Sequence, residues 1–180
     1  VTREALSVGA LAVLAVVVLL LMRKGWRGRA ERSAVLVGDL PVAPADPGTV
    51  LHGPVEATYV STTVAGSWLD RVVAHDLGSR SPAQVLVLPA GVLLQRTGAT
   101  DVFLPAPDLL GAGLAPAIAG KVVGGEGLVV LHWRLGTQEV ETGVLPRHRA
   151  DRPALVEAVT HLITATSAPD PTSHATEERT

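Results

Sequence analysis

The sequence predicts a mainly β domain carried behind a single N-terminal transmembrane helix and closed by one helix at its C-terminal end. Three observations predict it. Residues Ala5 to Met22 are an unbroken apolar run with neither charge nor proline. Between residues 55 and 145, short stretches rich in Val, Leu and Thr are cut repeatedly by Gly and Pro, the pattern of antiparallel strands and their turns. In DRPALVEAVTHLITAT, residues 151–166, the residues Leu155, Val156, Val159, Leu162 and Ile163 fall on one helical face.

The apolar run comes first. About 20 apolar residues span a hydrocarbon core of about 30 Å, so a run of about 18 lies at the short end of the range, and flanking side chains extend it by snorkelling. A buried helix of a soluble core would need neighbours on every side, and the following sequence has little room for them. A cleaved signal peptide has an apolar region of about 7–15 residues behind a basic stretch, with a small-residue cleavage site after it. Here Val1-Thr2-Arg3-Glu4 holds one base and one acid, and the basic stretch follows instead: Arg23, Lys24, Arg27, Arg29 and Arg32. This is a stop-transfer boundary. Basic residues near a span stay on the cytoplasmic side, which predicts the N-terminus outside and the C-terminal part in the cytoplasm at the plasma membrane. The same bases suit anionic headgroups, and Trp26 suits the headgroup layer.

Composition narrows the function classes. The chain of 180 residues carries a net charge of −2, so no overall field draws polyanions, and a nucleic-acid partner is not expected. Cysteine is absent. Disulfides, thiol nucleophiles and thiolate metal sites are thereby excluded.

Residues 33–54, with Pro41, Pro44, Pro47 and Pro54, read as a linker, since proline at this density blocks helix and central strand. Strand-forming VEATYVST opens the domain at 55–62. In the long connection 63–83, the spacing of Trp68, Leu69, Val72 and Val73 predicts a short amphipathic turn of helix. AQVLVLP (83–89) and GVLLQRT (91–97) form a hairpin about Pro89-Ala90-Gly91, and DVFLPAP (101–107) follows the Gly98-Ala99-Thr100 turn. LLGAGLAPAIAGKVVG (109–124) has strand or loop character. GLVVLHWRL (127–135) and TQEVETGVL (137–145) form the clearest hairpin, with Gly136 at the turn. The closing helix starts at Asp151, a natural N-cap, with Pro153 in its first turn. The tail from 167 to 180 is polar and expected to be disordered.

The organisation is therefore an anchor with a basic flank (1–32), a linker (33–54), a β domain (55–166) and a tail (167–180). About seven short antiparallel strands followed by one amphipathic helix suit a strongly bent β-barrel plugged at one end, which is the pleckstrin-homology-like (PH-like) architecture.

A resemblance agrees with this. Tyr59-Val60-Ser61-Thr62-Thr63-Val64-Ala65-Gly66-Ser67-Trp68-Leu69-Asp70-Arg71-Val72 resembles a signature of actinobacterial membrane proteins with one N-terminal span and a bacterial PH-like domain. Gly91-Val92, Arg96-Thr97-Gly98, Ala119-Gly120-Lys121-Val122-Val123, Trp133 and Thr142-Gly143 match further. The resemblance runs from the anchor to about residue 163. It implies the fold and brings no established activity. Members are often encoded among pyrimidine-biosynthesis genes, an association that assigns no step in that pathway.

The residues offer no catalytic constellation. The six histidines include no i, i+4 helical pair and have no Cys partner, so no metal or other cofactor is expected. Ser67, Asp70 and His75 are close in sequence, but Ala65-Gly66-Ser67-Trp68-Leu69 lacks the second glycine of a nucleophile elbow. Gly120-Lys121 is followed by Val122 where a phosphate-binding loop needs Ser or Thr. An enzyme is not expected.

The best binding candidate is the loop from Thr62 to Arg71. Long connections in small domains are often functional, and Trp and Arg are common at binding hot spots. Trp68, Asp70 and Arg71 are the candidates there, with Lys121 and Trp133 beside them; packing of Trp68 into the core is the competing role. The expected function is a membrane-anchored PH-like scaffold or adaptor with a protein partner, held in the bilayer through residues 5–22. An accessory subunit of a membrane transport or envelope-biogenesis complex, acting through its span, is the alternative.

Overall fold

The computed structural model describes residues 13–20, 38–67, 70–115, 117–118, 121–122 and 127–167. Residues 13–20 are helical (α1). Then come β1 (His52–Val64), β2 (Ser81–Leu88), β3 (Gly91–Arg96), β4 (Val102–Pro105), β5 (Leu109–Ala115), β6 (Ala117–Ile118), β7 (Lys121–Val122), β8 (Leu128–Leu135), β9 (Gln138–Pro146) and α2 (Asp151–Ser167).

Seven strands form one antiparallel sheet in the order β4-β3-β2-β1-β9-β8-β5, and β6 and β7 make a separate two-stranded ribbon. The two edges, β4 and β5, are consecutive in the chain and are joined only by the 3-10 turn Ala106–Asp108. Seven strands laid flat would hold those edges roughly 29 Å apart, at about 4.8 Å per pairing. A three-residue link cannot span that distance, so the sheet curls until its edges approach. α2 fills the space left between them, against β5, the 106–108 turn, β1 and β8. Its buried residues are Leu155, Val159 and Leu162, all on the face read from the sequence. The core joins them to the inward residues of every main strand, among them Val85, Leu94, Leu104, Leu131 and Val144. The architecture is PH-like, as expected: seven strands in a bent, open sheet with a C-terminal helix.

A bulge shapes β1. Its register against β9 slips between Tyr59 and Ser61. In a regular strand residues three apart face opposite sides; one extra residue puts them on the same side. Tyr59 and Thr62 therefore both turn inward, while Val60 joins Leu128, Val130 and Leu145 in a second apolar cluster.

Two expectations need revision. Of the helical turn read from Trp68, Leu69, Val72 and Val73, the first two residues lie outside the described residues, and Val72 and Val73 are not helical. Thr63 and Arg71 make an antiparallel bridge, and the amide N of Val72 donates to Thr62 O at 3.0 Å. The reason is that β2 pairs with β1 only as far as Tyr59. The rest of that edge of β1 would be bare, and the returning chain satisfies it. Among the described residues of this connection the helical turn is 3-10, at Ala74–Asp76. Secondly, β1 begins at His52, inside the segment read as linker, and that segment lies on the domain: Leu40 packs on the core and Leu51 N donates to Val87 O at 2.8 Å. As for the apolar run, among the described residues no helix is long and apolar enough to cross a membrane. Only residues 13–20 of the apolar run are described. The rest of it, the basic flank with Arg23, Lys24, Trp26, Arg27 and Arg29, and the tail from 168 lie outside the described residues.

Candidate functional site

The β1–β2 connection, residues 65–80, leaves the sheet beside the β8–β9 turn and is fastened at many points. Val64 N donates to Asp70 O at 2.9 Å, Ala65 N to Glu139 O at 2.9 Å, and Thr62 N to Leu77 O at 2.8 Å. Val72, Ala74 and Leu77 sink into the core. Asp70, Arg71, Asp76, Ser79 and Arg80 are left at the surface. The loop thus has an apolar underside that anchors it and a polar rim turned outward. His75 and Asp76 adopt positive φ (54° and 59°), and His75 Nε2 is 2.8 Å from Gly38 O, which ties the incoming segment to the loop.

Arg96, at the end of β3, clamps the loop from below. It is 5% exposed, and its guanidinium stands over the Tyr59 ring. Nη2 donates to Asp76 O (3.0 Å) and Ser79 O (2.9 Å), Nη1 to Thr100 O (3.3 Å), and Nε to Ser81 Oγ (2.9 Å). Its backbone N donates to Asp101 Oδ1 at 2.7 Å. Burial lowers the guanidinium pKa below its usual value, opposed by Tyr59, Asp76 and Asp101. One planar fork thereby holds the β1–β2 loop, the start of β2 and the β3–β4 turn together, a task suited to arginine's fixed donor geometry.

From Tyr59 a hydrogen-bonded chain crosses the core. Trp133 Nε1 lies 2.9 Å from Thr142 Oγ1, Thr142 Oγ1 lies 2.8 Å from Thr62 Oγ1, Thr62 Oγ1 lies 2.7 Å from Tyr59 Oη, and Tyr59 Oη lies 2.8 Å from Leu77 O. Its direction is fixed by its ends. The indole N–H can only donate and the carbonyl can only accept. Each hydroxyl between them therefore accepts one bond and donates the next, from Trp133 to Leu77. Every polar atom in the chain is buried and satisfied, which locks three strands and the loop into one register.

The sequence-read candidates divide accordingly. Asp70 is exposed and accepts a bond from Ser67 Oγ at 2.6 Å. Arg71 is exposed beside it, in the bridge to Thr63. Trp133 is fully buried and works inside the core, where no partner reaches it. Lys121 is in β7, but its side chain lies outside the described residues, and so does Trp68. Ser67, Asp70 and His75 do not assemble as a triad: Ser67 bonds Asp70, whereas His75 bonds Gly38. Sequence reasoning missed Arg96 and Thr142 as organising residues. The available signal was a lone arginine closing the apolar strand GVLLQR and a threonine in phase with Val140 and Val144 in the alternating strand TQEVETGVL. The segments that carried the family resemblance converge here, since Tyr59, Thr62, Arg96, Trp133 and Thr142 are all members of this network.

No curated protein matches the chain. Among solved structures, a chain of the 8S snRNP assembly intermediate is similar at 13% identity over 74% of this chain and 94% of that one, with a TM-score of 0.46. The sequence model described as bacterial PH domain-like matches residues 37–160, more than half of the length, and the interval includes the whole sheet and the Arg96 clamp. The chain belongs to the bacterial PH domain-like family.

Proposed function

We propose that the chain is a single-pass membrane protein that presents its PH-like domain to a protein partner at the cytoplasmic face, as a scaffold or adaptor. The observation that carries the interaction reading is the β1–β2 connection. It is a long loop fastened at Asp76, Leu77 and Ser79 by Arg96 and Tyr59 and at Asp70 and Val72 by the β1 backbone, with Asp70 and Arg71 on its outer rim. Pre-ordering of a surface loop lowers the entropy lost on binding, which suits a recognition element. Support for the anchor comes from the apolar run and its five basic neighbours. Residues 13–20 add to it: Val13, Leu14, Leu19 and Leu20 are each more than half exposed, so the domain does not bury them. Because the span supplies membrane residence, the domain is free to serve a protein partner.

Crosslinking and affinity purification of the full chain from native membranes test this reading. Asp70→Ala with Arg71→Ala, and separately Trp68→Ala, are expected to strip the partner set. A partner set that survives these changes but vanishes when residues 5–22 are replaced by an unrelated span overturns the module reading in favour of an accessory subunit acting through its helix. A reporter fused after Thr180 is expected to be active only in the cytoplasm; activity only outside reverses the orientation.

A further inference from the structure

A second surface lies away from that loop. A groove of about 580 Å³ runs across β2, β1 and β9 on the face that carries Glu56 and Gln84. Arg147, just past β9, and Arg152, in the first turn of α2, both line it. We propose that this groove docks an acidic peptide segment of a protein partner, with Arg147 and Arg152 receiving its carboxylate.

Arg152 supplies the first argument. Its Nε is buried and meets no acceptor among the described residues. A buried guanidinium N–H left unpaired is costly, so this side chain gains by turning into the groove it lines, where a carboxylate is its best-matched acceptor. Arg147 supplies the second. Its Nη1 is 2.9 Å from Glu56 Oε2, but the two side chains are 71% and 60% exposed. Such a pair is weakly held, so Glu56 acts as an internal carboxylate that a partner's carboxylate displaces. The charge balance of the lining, two guanidinium groups against one carboxylate, favours an acidic ligand, and His148 and Arg149 follow in the adjoining turn. Beside the charges the lining mixes the apolar Leu145 with the polar Thr58, Gln84 and Thr97. An extended peptide uses both features, whereas a bare anion uses only the charges. The proposal goes beyond the loop reading, because the loop leaves the other end of β1.

The test uses the full chain in zwitterionic detergent, with fluorescence anisotropy of a labelled alanine–glutamate repeat decapeptide and of its alanine–glutamine counterpart. The glutamate peptide is expected to bind saturably and about tenfold more tightly than the glutamine peptide. Arg152→Gln is expected to weaken it severalfold. Glu56→Gln is expected to tighten it, because Arg147 is then released, and this gain keeps the test decisive should Arg152→Gln fail a thermal-melt check of folding. Equal binding of both peptides, or no gain with Glu56→Gln, overturns the proposal. Displacement of the peptide by micromolar inorganic phosphate would make the groove a simple anion site. Arg152-dependent retention on phosphatidylserine vesicles without peptide binding would make it a membrane contact. Either result overturns the peptide assignment. Peptide binding unaffected by Asp70→Ala and Arg71→Ala separates this site from the loop, so the two readings fail independently.

Discussion

The guanidinium carbon of Arg96 stands 4.0 Å from the centroid of the Tyr59 ring, and the two stacked side chains together hold the β1–β2 loop from beneath. Arg96 takes the carbonyls of Asp76 and Ser79, and Tyr59 takes the carbonyl of Leu77 between them. A cation over an aromatic face inside a protein gains from the low dielectric, and the fork leaves few of its donors unused.

Arg96→Met retains the apolar stem but takes the guanidinium donors from the carbonyls of Asp76, Ser79 and Thr100. We expect a loss of about 3 kcal/mol in urea unfolding, from several charge-assisted bonds partly replaced by water. The distinguishing readout is hydrogen exchange. The amides of Leu77 and Ser79, which close the turns onto Ala74 and Asp76, should exchange much faster, while those of α2 follow only the global change. Arg96→Lys should restore little, because an ammonium does not reproduce the fork or the stacking. Unchanged exchange in the loop would refute the clamp.

The relay from Trp133 to Leu77 predicts coupling between strands. Thr142→Val removes the acceptor of the indole N–H and the donor to Thr62, at a cost of about 1–3 kcal/mol. Thr62→Val interrupts the same chain one step further on. Since either change orphans its neighbours, the double variant should lose clearly less than the sum of the two singles. A double-mutant cycle in urea measures this. Simple additivity would show that the hydroxyls act separately.

Tyr59 gives the protein a pH limit. Burial raises its phenol from the ordinary 10.0 to about 12, against the opposing pull of the Thr62 hydrogen bond and Arg96. Between those values the unfolded chain releases the proton and the native chain keeps it. The unfolded state then binds fewer protons, so stability is complete below pH 10 and falls as pH rises towards 12, by roughly 1 kcal/mol per pH unit. Tyr59 is the only tyrosine, so tyrosinate absorbance reports it without overlap from another phenol. Absorbance should rise only as the protein unfolds, and Tyr59→Phe should abolish this part of the alkaline slope.

Much of this fold was legible because its punctuation is local. Pro89-Ala90-Gly91, Gly98 and Gly136 mark turns within a few residues of where the strands β2, β3, β4, β8 and β9 meet them. The periodicity of Leu155, Val159 and Leu162 marked α2 and its buried face. What the sequence hid is non-local. Val72 looks helical by spacing, but the bare second half of β1 decides its conformation, and that depends on β2 stopping opposite Tyr59. Trp133 resembles a binding residue by type, yet its place opposite Val140 in the β8–β9 register puts the indole in the core. Arg96 looks like a surface charge until the folded loop brings two carbonyls to it. In each case the residue type alone misleads, and what decides its role is a pairing or a loop placement that appears only once the strands are in register.

Two turn glycines of the first sheet provide a last, comparative prediction. Gly91, at φ 151°, opens β3, and a Cβ there would meet the carbonyl oxygen of Leu104 on β4, a backbone atom held in the ladder. Gly98, at φ 78°, has open space where a Cβ would go. Both positions strain an L-residue, but only the first adds a collision with backbone. Gly98→Ala should cost about 1–2 kcal/mol, the penalty of a left-handed conformation. Gly91→Ala should cost clearly more and should weaken the β3–β4 pairing as well, since Leu104 must move or the turn must change type. Thermal melts of the two variants compare them, and amide exchange in β4 locates the damage. Equal losses would mean that β4 yields freely, and that this edge of the sheet is less firmly closed than its three-residue link to β5 requires.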